Sequence, residues 1–140
     1  MGGFVLEDFL PYRVNVLAAR LSREFATRYR ARFGISVPEW RVVAHLSQSG
    51  AVSVREIHER VDMDKSKVSR AAARLEAAGY VAKRVNPGDR RLVELRLTAR
   101  GEAMMAELAK LAEAYSGELR ARLGDAEAFG AGLARLMEEI

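Results

Sequence analysis

The stretch from Ser53 to Gly79, SVREIHERVDMDKSKVSRAAARLEAAG, leaves this chain few folds to choose from. Ser53 with Glu56 three residues on is a capping box: the serine oxygen accepts from a free backbone N–H, and the glutamate reaches back to the serine's own. It opens a short helix with Val54, Ile57 and Val61 on one face. The period breaks over Val61-Asp62-Met63-Asp64, and Asp64 is placed to cap a second helix. Val68, Ala71, Ala72, Leu75 and Ala78 mark the buried face of that helix, and Gly79 closes it. Its outer face carries Lys67, Arg70 and Arg74 at i, i+3, i+7, with Lys65, Ser66 and Ser69 beside them and alanines keeping the rod slim. A B-DNA major groove admits one α-helix, and the N-terminal residues of a recognition helix reach the base edges. Lysine, arginine and serine are suited to donate there to guanine acceptors or phosphate oxygens. On an ordinary helix the same pattern is a solvated basic face.

The residues that follow separate these readings. Tyr80–Val85 and Leu92–Leu97 both alternate, with Val81, Lys83 and Val85 on one face of the first run and Val93, Leu95 and Leu97 on one face of the second. A period of two predicts strands. Between them Asn86-Pro87-Gly88-Asp89-Arg90-Arg91 is rich in turn formers, which predicts a β-hairpin with two arginines at its tip. An arginine so placed can enter a narrow minor groove, where negative potential concentrates. A helix-turn-helix followed by a basic hairpin is a winged helix-turn-helix.

The order of features is specific in combination: a capped helix, DKSKVSRAAARLEAAGYV, a hairpin carrying DRR, then LTARG opening a long helix. From roughly Leu10 to the C-terminus it resembles the MarR family of bacterial transcriptional regulators. The resemblance implies that Ser66, Lys67, Ser69 and Arg70 meet the major groove and that Lys65 and Arg74 serve mainly phosphates. It implies that Arg90 or Arg91 enters the minor groove while Asp89 orients an arginine through a charge-assisted bond. Members of the family dimerise through their N- and C-terminal helices. They often bind small aromatic acids or derivatives between those helices and the DNA-binding lobe. Phe9, Tyr12, Arg13, Trp40, Arg41 and His45 are the candidates for such a pocket, an apolar wall with an arginine for a carboxylate. Core packing is the competing role for Tyr12 and Trp40.

The remaining chain is read as helices. Leu10, Val14, Leu17, Leu21 and Phe25 form a stripe in a helix over residues 10–33, with Pro11 near its start, Gly34 at its end and six arginines largely on its solvated face. Ser36 and Glu39 are a second capping box, opening a helix to about Gln48 with Trp40, Val43, Ala44 and Leu46 as its apolar positions. Ala51-Val52 is short enough for a single small strand beside the wing. Thr98 caps a helix to about Leu123, with Met104, Leu108, Leu111, Tyr115, Leu119 and Leu123 recurring at 3–4 spacing. Gly124-Asp125 stops it and caps a last amphipathic helix with Phe129, Leu133, Leu136 and Ile140 on one side. The prediction is one mainly α domain over residues 1–140 with a small β-hairpin wing. Residues 36–97 form the winged helix-turn-helix lobe, and residues 5–34 and 98–140 form dimerisation helices.

Charge supports this division. Residues 41–100 hold thirteen Lys/Arg against seven Asp/Glu, whereas residues 101–140 hold four against eight. The basic charge is thus concentrated where DNA contact is expected. With no cysteines, disulfides, thiolate metal sites, cysteine catalysis and thiol-based sensing are excluded. His45 and His58, the only histidines, lack HExxH spacing, and no nucleophile elbow or phosphate loop occurs. The expectation is therefore a non-enzyme without cofactor or metal. Neither a signal peptide nor a membrane-length apolar run is present, so a cytoplasmic protein without membrane contact is expected. The predicted function is a sequence-specific regulator, a homodimeric repressor released from a pseudo-palindromic operator in double-stranded DNA by a small aromatic or anionic effector. The alternative is a winged helix used for protein or RNA contacts without operator specificity.

Overall fold

The computed structural model describes residues 2–61 and 63–138, of which residues 90–92 are described in backbone only. In chain order the elements are a 3-10 turn at Leu6–Asp8, α1 (Leu10–Phe33), α2 (Val37–Ser49), β1 (Val52–Ser53), α3 (Val54–Val61), α4 (Lys65–Ala77), β2 (Val81–Asn86), β3 (Asp89–Leu97), α5 (Ala99–Leu123) and α6 (Ala126–Glu138).

The helix starts lie where the capping residues put them. Ser36 accepts from the Glu39 N–H at 3.3 Å, Ser53 from Glu56 at 3.1 Å, Asp64 from Lys67 at 2.8 Å, Thr98 from Gly101 at 3.1 Å and Asp125 from Ala128 at 3.0 Å. Each bond satisfies a backbone donor that the first turn leaves without an intrahelical partner. At Ser36 the box closes differently from expectation: the hydroxyl donates to the Glu39 carboxylate at 2.8 Å. Gly34 ends α1 in the left-handed region at φ 68°.

The end of α4 corrects one detail. Ala78, expected on the buried face, is exposed, because it is the C-cap and lies beyond the last helical turn. Gly79 stands one residue further on at φ 84°. The Gly79 N–H donates to the Glu76 carbonyl at 3.0 Å and the Tyr80 N–H to the Leu75 carbonyl at 2.9 Å, the two bonds of a Schellman motif.

The three strands form an antiparallel sheet in the order β1-β3-β2. Val52 pairs with Leu95 and Ser53 with Glu94, so the short strand does lie beside the wing, although it spans Val52–Ser53 rather than Ala51-Val52. The wing itself turns more tightly than expected. The Asn86 side chain accepts from the N–H groups of Gly88 at 2.8 Å and Asp89 at 3.3 Å, reversing the chain over Pro87-Gly88 alone. Arg90 and Arg91 therefore belong to β3 and not to the loop. Their stretch is irregular: pairing passes from Val85↔Val93 directly to Asn86↔Asp89, placing residues 90–92 in a register shift.

One core joins the lobe to the long helices. Ile57, Val68, Ala71, Ala72, Leu75 and Leu95 are completely buried in the lobe, as are Val42 and Val43 of α2. Val42 was not among the apolar positions expected for α2. An aromatic cluster continues the core: the Phe25 ring lies 5.2 Å from Tyr29, 5.2 Å from Trp40 and 5.4 Å from Tyr115. Arg28 covers Tyr115 at 4.7 Å and is ion-paired with Glu118, while Arg32 pairs with Glu107 at 3.1 Å. The expected stripe of α1 is buried only from Leu21 onward: Leu10, Val14 and Leu17 are exposed, Leu10 by 50%. Phe129, Leu133 and Leu136 of α6 are exposed too, and Ile140, expected on the same face, lies outside the described residues. Among the described residues no helix is long and apolar enough to cross a membrane.

Candidate nucleic-acid interface

The interface is built on α4. Burying Val68, Ala71, Ala72 and Leu75 fixes the helix about its own axis, and this forces Lys65, Ser66, Lys67, Ser69 and Arg70 outward, all five exposed. The Asp64 cap and the first turn sit at the end that would meet base edges. His58 helps hold the preceding turn, its Nδ1 hydrogen-bonded to the Met63 carbonyl. Asp62, read as part of the break between the helices, lies outside the described residues.

A cleft of about 380 Å³ separates α4 from the start of α3 and the wing, lined by Ser53, Arg55, Lys65, Ser69 and Asp89 among others. The fold thus brings Asp89 of the wing together with two of the expected α4 residues, far apart in sequence. Arg90 and Arg91 follow Asp89 in β3, and their side chains lie outside the described atoms. Ser53 and Arg55, which also line this cleft, were not among the residues expected there. Their signal was position, since a capping serine and an arginine two residues later stand at the start of the helix leading into the turn.

Arg74 has a neighbour the sequence did not predict. Its Nε donates to Glu39 Oε1 at 3.1 Å, the same oxygen that accepts from Ser36. The Glu39 side chain is mostly buried, and the pair ties α4 to the N-terminus of α2 across 35 residues of sequence. Ion pairs with one partner out of solvent hold geometry more firmly than fully exposed ones.

The six residues expected at an effector pocket fall in two groups, Phe9, Tyr12 and Arg13 at the start of α1 and Trp40, Arg41 and His45 on α2. Trp40 lies in the aromatic cluster, 5.8 Å from Tyr29 in a stacked arrangement. Phe9, Tyr12 and Arg13 sit on the exposed first turns of the N-terminal region, with Phe9 packed edge-on against Phe4 at 5.5 Å. Arg41 is half-buried on α2. His45 is half-buried too, its Nε2 3.3 Å from both the Ser49 hydroxyl and an Arg60 nitrogen. Burial first, and the Arg60 charge second, push the His45 pKa below its usual value. Tyr29 is fully buried, and its hydroxyl has no hydrogen-bond partner among the described residues. Burial raises its pKa, against a smaller opposing influence of Arg30 and Arg41. Among the described residues no three His, Cys, Asp or Glu side chains gather to hold a metal ion.

Known proteins carry the same arrangement. A family model described as MarR family matches residues 33–92, which span the lobe through the wing arginines. The transcriptional regulator BilQ of Clostridioides difficile is 25% identical over 83 residues, covering 59% of this chain and 56% of that protein, so the match spans little more than half of this relative's length. The transcriptional repressor MdtR of Bacillus subtilis is 35% identical over 75 residues, covering 54% of this chain and 48% of its own. A MarR family transcriptional regulator from Silicibacter pomeroyi matches along nearly its whole structure, with a TM-score of 0.84, 28% identity, and 97% of this chain and 98% of that one covered. The lobe, its flanking helices and these matches agree: residues 33–92 match the MarR family, and the chain as a whole is similar in fold to a MarR family transcriptional regulator.

Proposed function

We propose that the protein is a sequence-specific DNA-binding regulator acting as a homodimer, a repressor released from a pseudo-palindromic operator by a small aromatic or anionic ligand. The observation that carries this reading is the five-residue polar and basic face of α4, turned outward by a fully buried opposite face and adjoining the wing across a cleft. In this reading Ser66, Lys67, Ser69 and Arg70 meet the major groove. Lys65 serves phosphates, Arg90 or Arg91 enters the minor groove, and Asp89 orients an arginine. Arg74 serves phosphates while its Nε remains available to Glu39.

Dimerisation is supported by the apolar surface at the chain ends. Phe4, Phe9, Leu10, Val14 and Leu17 on one side, and Leu123, Phe129, Leu133, Leu136 and Met137 on the other, are all exposed. Exposed apolar area beyond roughly a few hundred Å² marks an interface. A two-fold pair places two recognition helices about one DNA turn apart, roughly 34–36 Å, which suits a pseudo-palindrome.

The effector part is supported by Trp40 and by the Tyr29 hydroxyl, a buried donor that an anionic ligand reaching the aromatic cluster would satisfy. In the dimer, Phe9, Tyr12 and Arg13 from the terminal region complete a pocket with Trp40, Arg41 and His45. Trp40 is the sole tryptophan. Titration of a panel of aromatic acids is expected to change its fluorescence, and silence across the panel removes the pocket. The DNA-binding reading is tested by measuring duplex affinity at two salt concentrations for the wild type and Arg70→Ala. Loss of discrimination between sequences by about 1–3 kcal/mol marks Arg70 as a base reader. Equal loss on every sequence makes it a phosphate contact, and absence of duplex binding by the wild type ends the reading.

A further inference from the structure

The turn that ends α4 is gripped by the start of α5. The Thr98 hydroxyl donates to the Gly79 carbonyl at 2.6 Å and also caps α5 by accepting from the Gly101 N–H at 3.1 Å. The Thr98 N–H donates to the Tyr80 carbonyl at 3.1 Å. Gly101 is buried, and a Cβ built there would stand 2.1 Å from the Tyr80 oxygen, a separation that van der Waals radii forbid. Only glycine lets the Tyr80 backbone rest on the first turn of α5. Arg100 packs on the same residue, its guanidinium 4.7 Å from the Tyr80 ring centre and a nitrogen 3.5 Å from the Tyr80 hydroxyl. On the α4 side the turn is itself stiff, since the Schellman bonds and the left-handed Gly79 leave it one conformation.

We propose that Thr98 and Gly101 are positioning residues that fix the direction of α4 relative to α5, so that the recognition helix and the long helix move as one body. Lys65 lies at the far end of α4, and a 13-residue helix is about 20 Å long, so a small tilt at the Gly79 end displaces the Lys65–Ser69 end by ångströms. In a dimer that tilt changes the separation of two recognition helices. The consequence for DNA rests on the function proposed above; the rigidity of the junction does not.

The chain has no cysteine, so spin labels can be placed at will. Ala73→Cys on α4 and Glu113→Cys on α5 are both at exposed positions. With doubly labelled protein diluted in unlabelled chain, pulsed electron resonance reads the distance between the two helices within one molecule. A single narrow distribution is expected in the otherwise unchanged protein and in Thr98→Ser, which keeps both hydroxyl bonds. Thr98→Val keeps the shape and removes both, and the distribution broadens and shifts. Gly101→Ala adds one carbon against the Tyr80 carbonyl and displaces the mean. Unaltered distributions in folded Thr98→Val and Gly101→Ala would overturn the proposal. On DNA, the ratio of affinities between the preferred half-site spacing and one base pair more falls toward one in Thr98→Val, while affinity for an isolated half-site holds. Retention of that ratio also overturns it. A wild type with no spacing preference would instead count against the operator reading, and the distance measurement would still decide the junction.

Discussion

The two ends of α1 behave as if they belonged to different proteins. From Leu21 onward its apolar side chains are covered, with Phe25, Ala26 and Tyr29 buried against α2 and α5. Before Leu21 an equally regular stripe of Leu10, Val14 and Leu17 faces solvent, and Phe129, Leu133 and Leu136 of α6 do the same. Apolar residues recur at three- or four-residue spacing in both halves, so local sequence does not explain the difference; what differs is whether this chain supplies a partner surface. The lobe covers its own apolar faces, whereas the terminal helices leave theirs exposed, as the proposed homodimer requires. DNA readers built on two-fold symmetry need both properties, a rigid reading head and an interface that sets the distance between two of them.

Substitution should expose that contrast. Leu75→Ala, in the fully buried face of α4, is expected to cost about 2–5 kcal/mol, measured by urea unfolding, and to do so at any protein concentration. Leu17→Glu or Leu133→Glu is expected to convert a dimer to a folded monomer, read by sedimentation, with the helical signal of the lobe retained. If these exposed positions instead unfold the chain as Leu75→Ala does, the division into a self-sufficient lobe and incomplete ends is wrong.

Smaller effects sharpen the picture within the lobe. Arg90→Ala combined with Arg91→Ala is expected to weaken duplex binding and to flatten its salt dependence, by a slope of roughly 0.9 for each phosphate the wing no longer neutralises. Unchanged affinity and slope would remove the wing from the interface. Glu39→Gln breaks the pairing of Arg74 with a mostly buried carboxylate while keeping an oxygen for Ser36. It should lower discrimination between sequences more than total affinity, because Arg74 keeps its charge for phosphates and α4 loses a tether.

The smallest expected effect is a pH dependence at His45. Its folded pKa is depressed by burial and by Arg60, so the unfolded chain binds the proton more readily. Stability is therefore full above the ordinary histidine value of 6.5 and declines as pH falls through it. Unfolding midpoints measured on either side of that value should differ for the wild type and coincide more closely for His45→Gln. Equal pH dependence in both would assign it to other groups.

Much of this architecture was legible because helix starts are local events. Ser36, Ser53, Asp64, Thr98 and Asp125 each cap within three residues, and each bond is present. The face of α4 was legible for the same reason, since Val68, Ala71, Ala72 and Leu75 settle its rotation. The wing was legible as a hairpin but not in its register: the Asn86 side chain shortens the turn, and the irregularity at residues 90–92 depends on pairing with β2 and not on composition. The Glu39–Arg74 pair and the grip of Thr98 on Gly79 were not legible, because they join residues 35 and 19 positions apart through folding. An effector pocket is less legible still, since the residues named for it come from two elements, the start of α1 and α2, and joining them depends on folding and pairing rather than on local sequence.

In the proposed homodimer, two copies of this lobe read one symmetric sequence. The direct measurement is selection of bound duplexes from a random pool, with the mass of the recovered complex determined at two salt concentrations. Enrichment of a pseudo-palindrome carrying two chains, held less tightly at the higher salt, is expected. Recovery of an unenriched pool by weak, salt-sensitive binding, or of one chain per duplex, would contradict it.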